Sequence, residues 1–303
     1  SRRYSPNVIT SEYPSYGKGD FRECAFIPRG ADGARVFEGK VKGFEILQEK
    51  PTIPGMPSLY GGGETLVVTL EDEISKVQVD LYYSVYDELD AIARRAVIKN
   101  NADTPLVLDR AYSFSLDLPA GSYKVITQYG AHMRERTPEV TPLMHGIMSV
   151  DSKRGATSLH SSCFMALAAK DADEESGDVY GFNLIYSGSF RLTAEQSPYD
   201  MVRVLGGIND FDFSWKLLPG ESFYTPEAAM VYSGKGLGAM SRTFHDLYRG
   251  YIINKRFVNA VRPIVINNWE ATYFNFDIPK LCSIIDTVKD SGIDMFVLDD
   301  GWF

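Results

Sequence analysis

Residues 76–86 read KVQVDLYYSVY. Val77, Val79, Leu81, Tyr83 and Val85 alternate with polar or smaller residues, the period of a strand with one face in a core. ETLVVTL precedes this segment and AIARRAVIKN follows it, and both read as neighbouring strands. Turn signals punctuate the run: GGG at Gly61 to Gly63, NNAD at Asn100 to Asp103, LPAG before Tyr123. The same grammar returns in CFMALAAK, DVYGFNLIYSGSF, MVRVLGG, FDFSWKL and LPGESFYTPEAAMVYS. Many short strands with Gly/Pro turns and hardly a helical stretch predict a mainly β architecture over residues 1–235, a large antiparallel sandwich.

The pattern changes at Gly236. In LGAMSRTFHDLYRGY the apolar residues Leu237, Met240, Phe244, Leu247, Tyr248 and Tyr251 fall at helical spacing, with Arg242, Asp246 and Arg249 opposite. Residues 236–258 are therefore read as a linking helix, with His245 a structural histidine beside the apolar stripe. From residue 259 the pattern changes again. Pro263 to Ile266 is a short continuous apolar run, typical of a strand covered on both faces. Asp277 can cap a following helix with Pro279 in its first turn, Leu281, Ile284, Ile285 and Val288 form its stripe, and Gly292 suits its C-terminal cap. IDMFVL is the next buried strand. Strand, helix and strand in so short a span make a βαβ unit, with parallel pairing and a right-handed crossover.

In parallel α/β folds, ligands bind at the carboxyl ends of the strands. The first strand runs into Asn267, Asn268, Trp269 and Glu270, the second into Asp299, Asp300, Gly301 and Trp302. Aromatic faces with carboxylates suit a sugar: the ring's C–H face packs on the aromatic, and the acids accept from paired hydroxyls. The structural alternative is that Asp299 and Asp300 cap the next element and Trp269 is core. Paired aspartates can also hold magnesium with phosphate, but no glycine-rich phosphate loop accompanies them. Elsewhere, Arg134 and Arg136 read as a solvated charge run, and Asp20 with Arg22 as a surface ion pair.

Composition narrows the function classes. The 303 residues are 44% hydrophobic with a net charge of −9, which argues against nucleic acid as a partner. No apolar run approaches the length of a membrane span, and SRRYSPN is not an export signal. The 3 cysteines, Cys24, Cys163 and Cys282, form neither a disulfide framework nor a CxxC site. They read as small buried hydrophobes in a reducing compartment, predicting a cytoplasmic protein. The 4 histidines show no metal-ligand spacing, so no metal site is expected.

RPIVINNWEATYF followed by GIDMFVLDDGWF resembles the bacterial α-galactosidases of glycoside hydrolase family 36. YPSYGKGDFR, SKRGATSLHSSCF, GDVYGFNLIYSGSF, GINDFDFSWKLLPGESFYTPE and MSRTFHDLYR extend the resemblance over essentially the whole chain. One departure is SSCF at Cys163, where the family often has Asn-Pro before the aromatic. The resemblance implies a β-supersandwich, then the first βαβ unit of a (β/α)8 TIM barrel over residues 259–303. It implies retaining hydrolysis of terminal α-galactosides such as melibiose and raffinose, in a homotetramer and without a cofactor. Trp269 matches the tryptophan lining the galactose pocket. Asp299 and Asp300 match the aspartates that bind the hydroxyls of carbons four and six.

The family's nucleophile lies in a Lys-Trp-Asp motif on a later strand and its acid/base later still, and neither occurs here. No catalytic residue is therefore assigned, and this segment alone is expected to be inactive. A full barrel takes about 250 residues, so the chain reads as a segment of a longer protein or one cut at a disordered stretch. The resemblance also makes the YPSYGKGDFR loop an interface candidate. Two other readings stay open: an α-N-acetylgalactosaminidase or transglycosylase of the same fold, and a non-catalytic carbohydrate-binding or assembly module.

Overall fold

The computed structural model describes residues 6–303; SRRYS, the start of the segment read above as no export signal, lies outside the described residues. The chain divides into two compact units, Ser1–Ile252 and Ile253–Phe303.

The described part of the first unit is built of strands. In chain order they are β1 (Phe26–Arg29), β2 (Lys40–Leu47), β3 (Thr65–Glu71), β4 (Val77–Tyr86), β5 (Ala91–Asn100), β6 (Leu106–Leu118), β7 (Tyr123–Tyr129), β8 (Thr137–Pro142) and β9 (Gly146–Asp151). There follow β10 (Ser161–Ala169), β11 (Val179–Ile185), β12 (Phe190–Gln196), β13 (Val202–Ile208), β14 (Trp215–Leu217), β15 (Ser222–Tyr224) and β16 (Glu227–Ser233), and then the helix α1 (Gly236–Tyr251). Among the described residues the larger sheet has 10 strands, ordered β2-β3-β4-β5-β16-β11-β10-β7-β8 with β15 beside β5. The smaller has 5, ordered β1-β6-β13-β12 with β14 beside β6. Neighbouring strands in both run antiparallel, as the turn-rich sequence predicts.

Strand β4 shows how alternation becomes packing. Val77, Val79 and Leu81 are buried in a core shared with Phe26, Leu108 and Tyr112 of the smaller sheet. A second core joins Phe114, Leu192 and Val204 to Met165, Phe182 and Leu184. The opposite face of the larger sheet is covered as well. There Ala93, Ala166, Ala168 and Ala229 pack against Met240, Phe244 and Leu247 of α1. Small residues let the helix come close: a Cβ on Gly181 would stand 2.5 Å from Phe244 Cε2. The predicted stripe of α1 is thus the buried one, while His245 is exposed and not the structural histidine expected.

The outer face of the smaller sheet holds a buried ionic network. Asp117 and Arg203 face each other across β6 and β13. Arg203, fully buried, donates from Nε to Asp117 Oδ1 at 2.6 Å and from Nη2 to Asp117 Oδ2 at 2.8 Å. Its Nη1 donates to Asp20 Oδ2 at 3.0 Å and to the Glu23 carbonyl at 3.1 Å. Asp20 and Arg22, 2.7 Å apart, are drawn into this network and are not a surface pair. Long-range partners hold them there, with Arg203 lying 183 residues from Asp20. Arg134 and Arg136 are exposed, as a solvated run should be. Cys24 and Cys163 are buried; Cys282, read as a buried hydrophobe, is exposed.

The second unit contains α2 (Lys255–Val258), β17 (Val265–Asn267), α3 (Trp269–Thr272), α4 (Ile278–Val288) and β18 (Met295–Val297). β17 and β18 pair in parallel, with Val265 opposite Met295 and Asn267 opposite Val297. Asp277 caps α4, its Oδ1 accepting from Lys280 N at 2.9 Å, with Pro279 in the first turn. The helix ends at Val288, before the expected glycine; Gly292 takes φ +86° in the turn that follows. The strands are shorter than expected and their apolar side chains are not covered on both faces: Val265 is 51% and Met295 45% exposed.

Candidate functional site

The carboxyl ends of β17 and β18 come together because the two strands are parallel and in register. The strand ends at Asn267, and Asn268, at φ −91° and ψ −8°, turns the chain into α3. Asn268 turns inward and is buried, whereas Asn267 is exposed. Beyond them the chain closes the single turn of α3, beginning at Trp269.

The two asparagines tie the strand ends to each other. Asn268 Oδ1 accepts from Asp299 N at 2.9 Å, and Asn268 Nδ2 donates to Thr272 Oγ1 at 3.0 Å. Thr272 Oγ1 in turn donates to the Asn268 carbonyl at 3.0 Å. Asn267 Nδ2 donates to Asp299 Oδ2 at 2.6 Å, and Asn267 Oδ1 accepts from Trp269 N at 3.2 Å. The Asp299 carboxylate is therefore held from two sides, because its Oδ1 also accepts from Asp300 N at 2.8 Å. Asp300 Oδ1 accepts from Gly301 N at 2.9 Å. The carboxylates do cap the turn after β18, the bland role foreseen for them, yet Asp299 is only half-buried and Asp300 is exposed. Each keeps acceptor capacity beyond these bonds.

Trp269 is half-buried against an aromatic wall. Its ring lies 5.3 Å from Tyr273 and 5.0 Å from Phe274, both edge-on. Gly301 passes close to that wall at φ +89°, where a Cβ would stand 2.7 Å from Phe274 Cδ1. The arrangement thus places an aromatic group and two carboxylates at one end of a parallel strand pair. The sequence pointed to Trp269, Asp299 and Asp300, but gave no role to Asn267, Asn268, Tyr273 or Phe274. An Asn-Asn doublet ending a strand, directly before an aromatic, was the available signal for the first two.

Other candidates do not converge here. No group of three or more His, Cys, Asp or Glu placed to hold a metal occurs among the described residues. Cavities of about 440 and 320 Å3 open on the sandwich, one lined by Val85, Ile92, Leu116, Phe182 and Met230, the other by Ser122, Tyr123, Asp171 and Asp178. Neither includes a residue of the strand-end cluster. No described helix is long and apolar enough to cross a membrane.

Acids and an aromatic at the carboxyl end of a parallel strand pair suit a carbohydrate ligand, and comparison with known proteins points to a family of carbohydrate-active enzymes. The glycosyl hydrolase family 36 N-terminal domain matches residues 1–218, and the melibiase family matches residues 222–303. The chain belongs to glycosyl hydrolase family 36. It is 43% identical to the α-galactosidase AgaA of Geobacillus stearothermophilus and 40% identical to the α-galactosidase Mel36A of Lactobacillus acidophilus. Each alignment covers 100% of this chain and 42% of the relative, so the chain spans less than half the length of these relatives. The crystal structure of AgaA superposes with a TM-score of 0.95 over 100% of this chain and 43% of that one. The α-galactosidase structure from Lactobacillus brevis gives 0.94 at 41% identity, over 99% of this chain and 41% of that one. Variants of AgaA have been crystallised in complex with stachyose and with raffinose.

Proposed function

We propose that this chain is the amino-terminal part of a retaining α-galactosidase that removes terminal α-galactosyl residues from oligosaccharides of the raffinose type. The observation that carries the reading is the meeting of Trp269, Asp299 and Asp300 at the ends of two parallel strands, in a chain matched along its whole length by α-galactosidases. The raffinose and stachyose complexes of AgaA support the substrate class.

In this reading Trp269 lines the galactose pocket and Asp299 and Asp300 accept from the sugar's hydroxyls, chiefly those on carbons four and six. Galactose differs from glucose in its axial hydroxyl at carbon four. A carboxylate fixed to meet the axial group is left poorly paired by glucose, and an unpaired desolvated acceptor is costly. Asp299 suits binding better than attack, because both of its oxygens are already engaged. Retaining hydrolysis needs a nucleophile and an acid/base about 5 Å apart. We place that pair in barrel sequence beyond residue 303, with residues 1–235 as the supersandwich, 236–258 as the link and 259–303 as the barrel's first two strands. The exposed apolar residues of β17 and β18 support a fold that further barrel elements cover. We also propose a homotetramer, in line with the family resemblance, and a cytoplasmic enzyme, a setting that suits its free cysteines.

The test is hydrolysis of p-nitrophenyl α-galactoside, with the α-glucoside as control, by the full polypeptide encoded by the gene. Cleavage of the galactoside is expected, with Asp299→Asn and Asp300→Asn each lowering kcat/KM by about a hundredfold, the scale of a hydrogen bond from substrate to a charged acceptor. The 303-residue chain alone should be inactive. A folded full-length protein that spares the galactoside, or prefers the glucoside, would sink the reading.

A further inference from the structure

We infer that Asn267 is a positioning residue that aims the Asp299 carboxylate at the sugar, an inference that rests on the galactosidase reading above. Its one amide group serves both proposed binding elements. Nδ2 donates to Asp299 Oδ2 at 2.6 Å, and Oδ1 accepts from Trp269 N at 3.2 Å. The first bond crosses from one strand end to the other; the second fixes the start of the turn that carries the indole. Asp300 N takes the other Asp299 oxygen at 2.8 Å. Between two donors the carboxylate cannot swing about its side-chain torsion without losing one of them, and its remaining lone pairs face a fixed direction. Asn268 does a different job, holding the main chain of Asp299 from inside the fold. Both hydrogen bonds of the Asn267 side chain run to residues of the proposed site, one to the Asp299 carboxylate and one to the main chain of Trp269.

The isosteric change separates these roles. Asn267→Asp keeps an acceptor for Trp269 N but replaces the donor facing Asp299 Oδ2 with a like charge. Asn267→Ala removes both bonds without adding repulsion. If the residue only stabilised the fold, damage from either change would appear as fewer active molecules: lower apparent kcat at unchanged KM. A positioning residue gives a change in KM, larger where the like charge turns the Asp299 carboxylate away. The experiment measures kcat and KM for p-nitrophenyl α-galactoside on the full gene-encoded polypeptide and its two variants. KM should rise about tenfold in Asn267→Ala, the scale of one hydrogen bond to a charged group, and further in Asn267→Asp, with the preference over the α-glucoside narrowing in both. KM reports only on folded molecules, so partial misfolding does not blur the result. An active wild type whose variants keep its KM, or in which Asn267→Asp is the milder change, overturns the role of Asn267 alone. A folded wild type inactive on the galactoside overturns the underlying reading and this inference with it.

Discussion

Replacing Arg203 with methionine removes the centre of the network that fastens the amino-terminal segment to the smaller sheet. The guanidinium is fully buried and donates to both oxygens of Asp117, to Asp20 and to the Glu23 carbonyl. The Asp117 side chain is only 2% exposed. Without Arg203 it keeps Ser11 N at 2.8 Å and the Arg22 guanidinium at 3.7 Å. Breaking a buried pair by removing one partner costs about 3–5 kcal/mol, and Arg22 beside it argues for the lower end. An unfolding entropy of about 2.1 cal/mol/K per residue, over the unit Ser1–Ile252, converts ~3 kcal/mol into a Tm shift of about 6 °C. Thermal unfolding followed by circular dichroism at pH 7 measures it. The double variant Arg203→Met with Asp117→Leu should recover at least half of the loss, because an apolar pair leaves no charge stranded. A single-variant shift under about 2 °C, or a double variant as damaged as the summed singles, would refute the account.

Acid should loosen the same face. Burial works to raise the carboxyls of Asp20 and Asp210, but the hydrogen bonds and charges of Arg22 and Arg203 on Asp20, and of Arg110 on Asp210, outweigh it and hold both below the usual range. A depressed carboxyl contributes stability that is present above its unfolded value, about 3.9, and lost as pH falls through the folded one. Tm should therefore drop steeply below about pH 4 and less so in Asp210→Asn; parallel curves for the two proteins would contradict the assignment. Glu195, raised chiefly by burial, works in the opposite sense and softens the onset. At the strand ends, Gly301→Ala forces a Cβ to 2.7 Å from Phe274 Cδ1 at φ +89°. A strain of about 1–3 kcal/mol is expected, displacing the Trp269 wall and raising KM for the galactoside; an unchanged KM would show that Gly301 is not needed there.

What could be read from the sequence was what depends on near neighbours. The alternation of Val77, Val79 and Leu81 gave one face of β4 correctly, since each strand of a sandwich carries its own period. Val85 departs from it. It is 40% exposed at the strand's end, while Tyr86 on the opposite face is buried against Tyr251 and Leu59. That opposite face is covered by α1 and by the chain around Leu59, a layer that alternation in one strand cannot announce. Arg94 and Arg95 illustrate the same limit. The pair looks like an exposed stretch of a strand, yet both side chains are buried, Arg94 reaching Glu12 at 2.9 Å and Arg95 lying 3.7 Å over the Tyr82 ring. Asp20 and Arg22 were misplaced at the surface for this reason: their partners come from β6 and β13, far along the chain.

The strand-end cluster was legible in another way, through residue types and not through contacts. Two short apolar runs each ending in acids, amides and an aromatic are enough to locate a site if the strands are parallel, and the register of β17 with β18 supplies that condition. Roles within the cluster depend on a further step. Asn267 and Asn268 are the same residue at consecutive positions, but the first ends β17 and the second, at φ −91° and ψ −8°, already opens the turn of α3, so the chain bends between them. The buried one therefore holds the main chain of Asp299, and the exposed one its carboxylate. Exchanging either asparagine should have unlike consequences: Asn268 supports the main chain of Asp299 from a buried position, and Asn267 acts on the carboxylate and so on substrate affinity. A doublet that looks redundant in sequence thus divides folding from recognition between its two members.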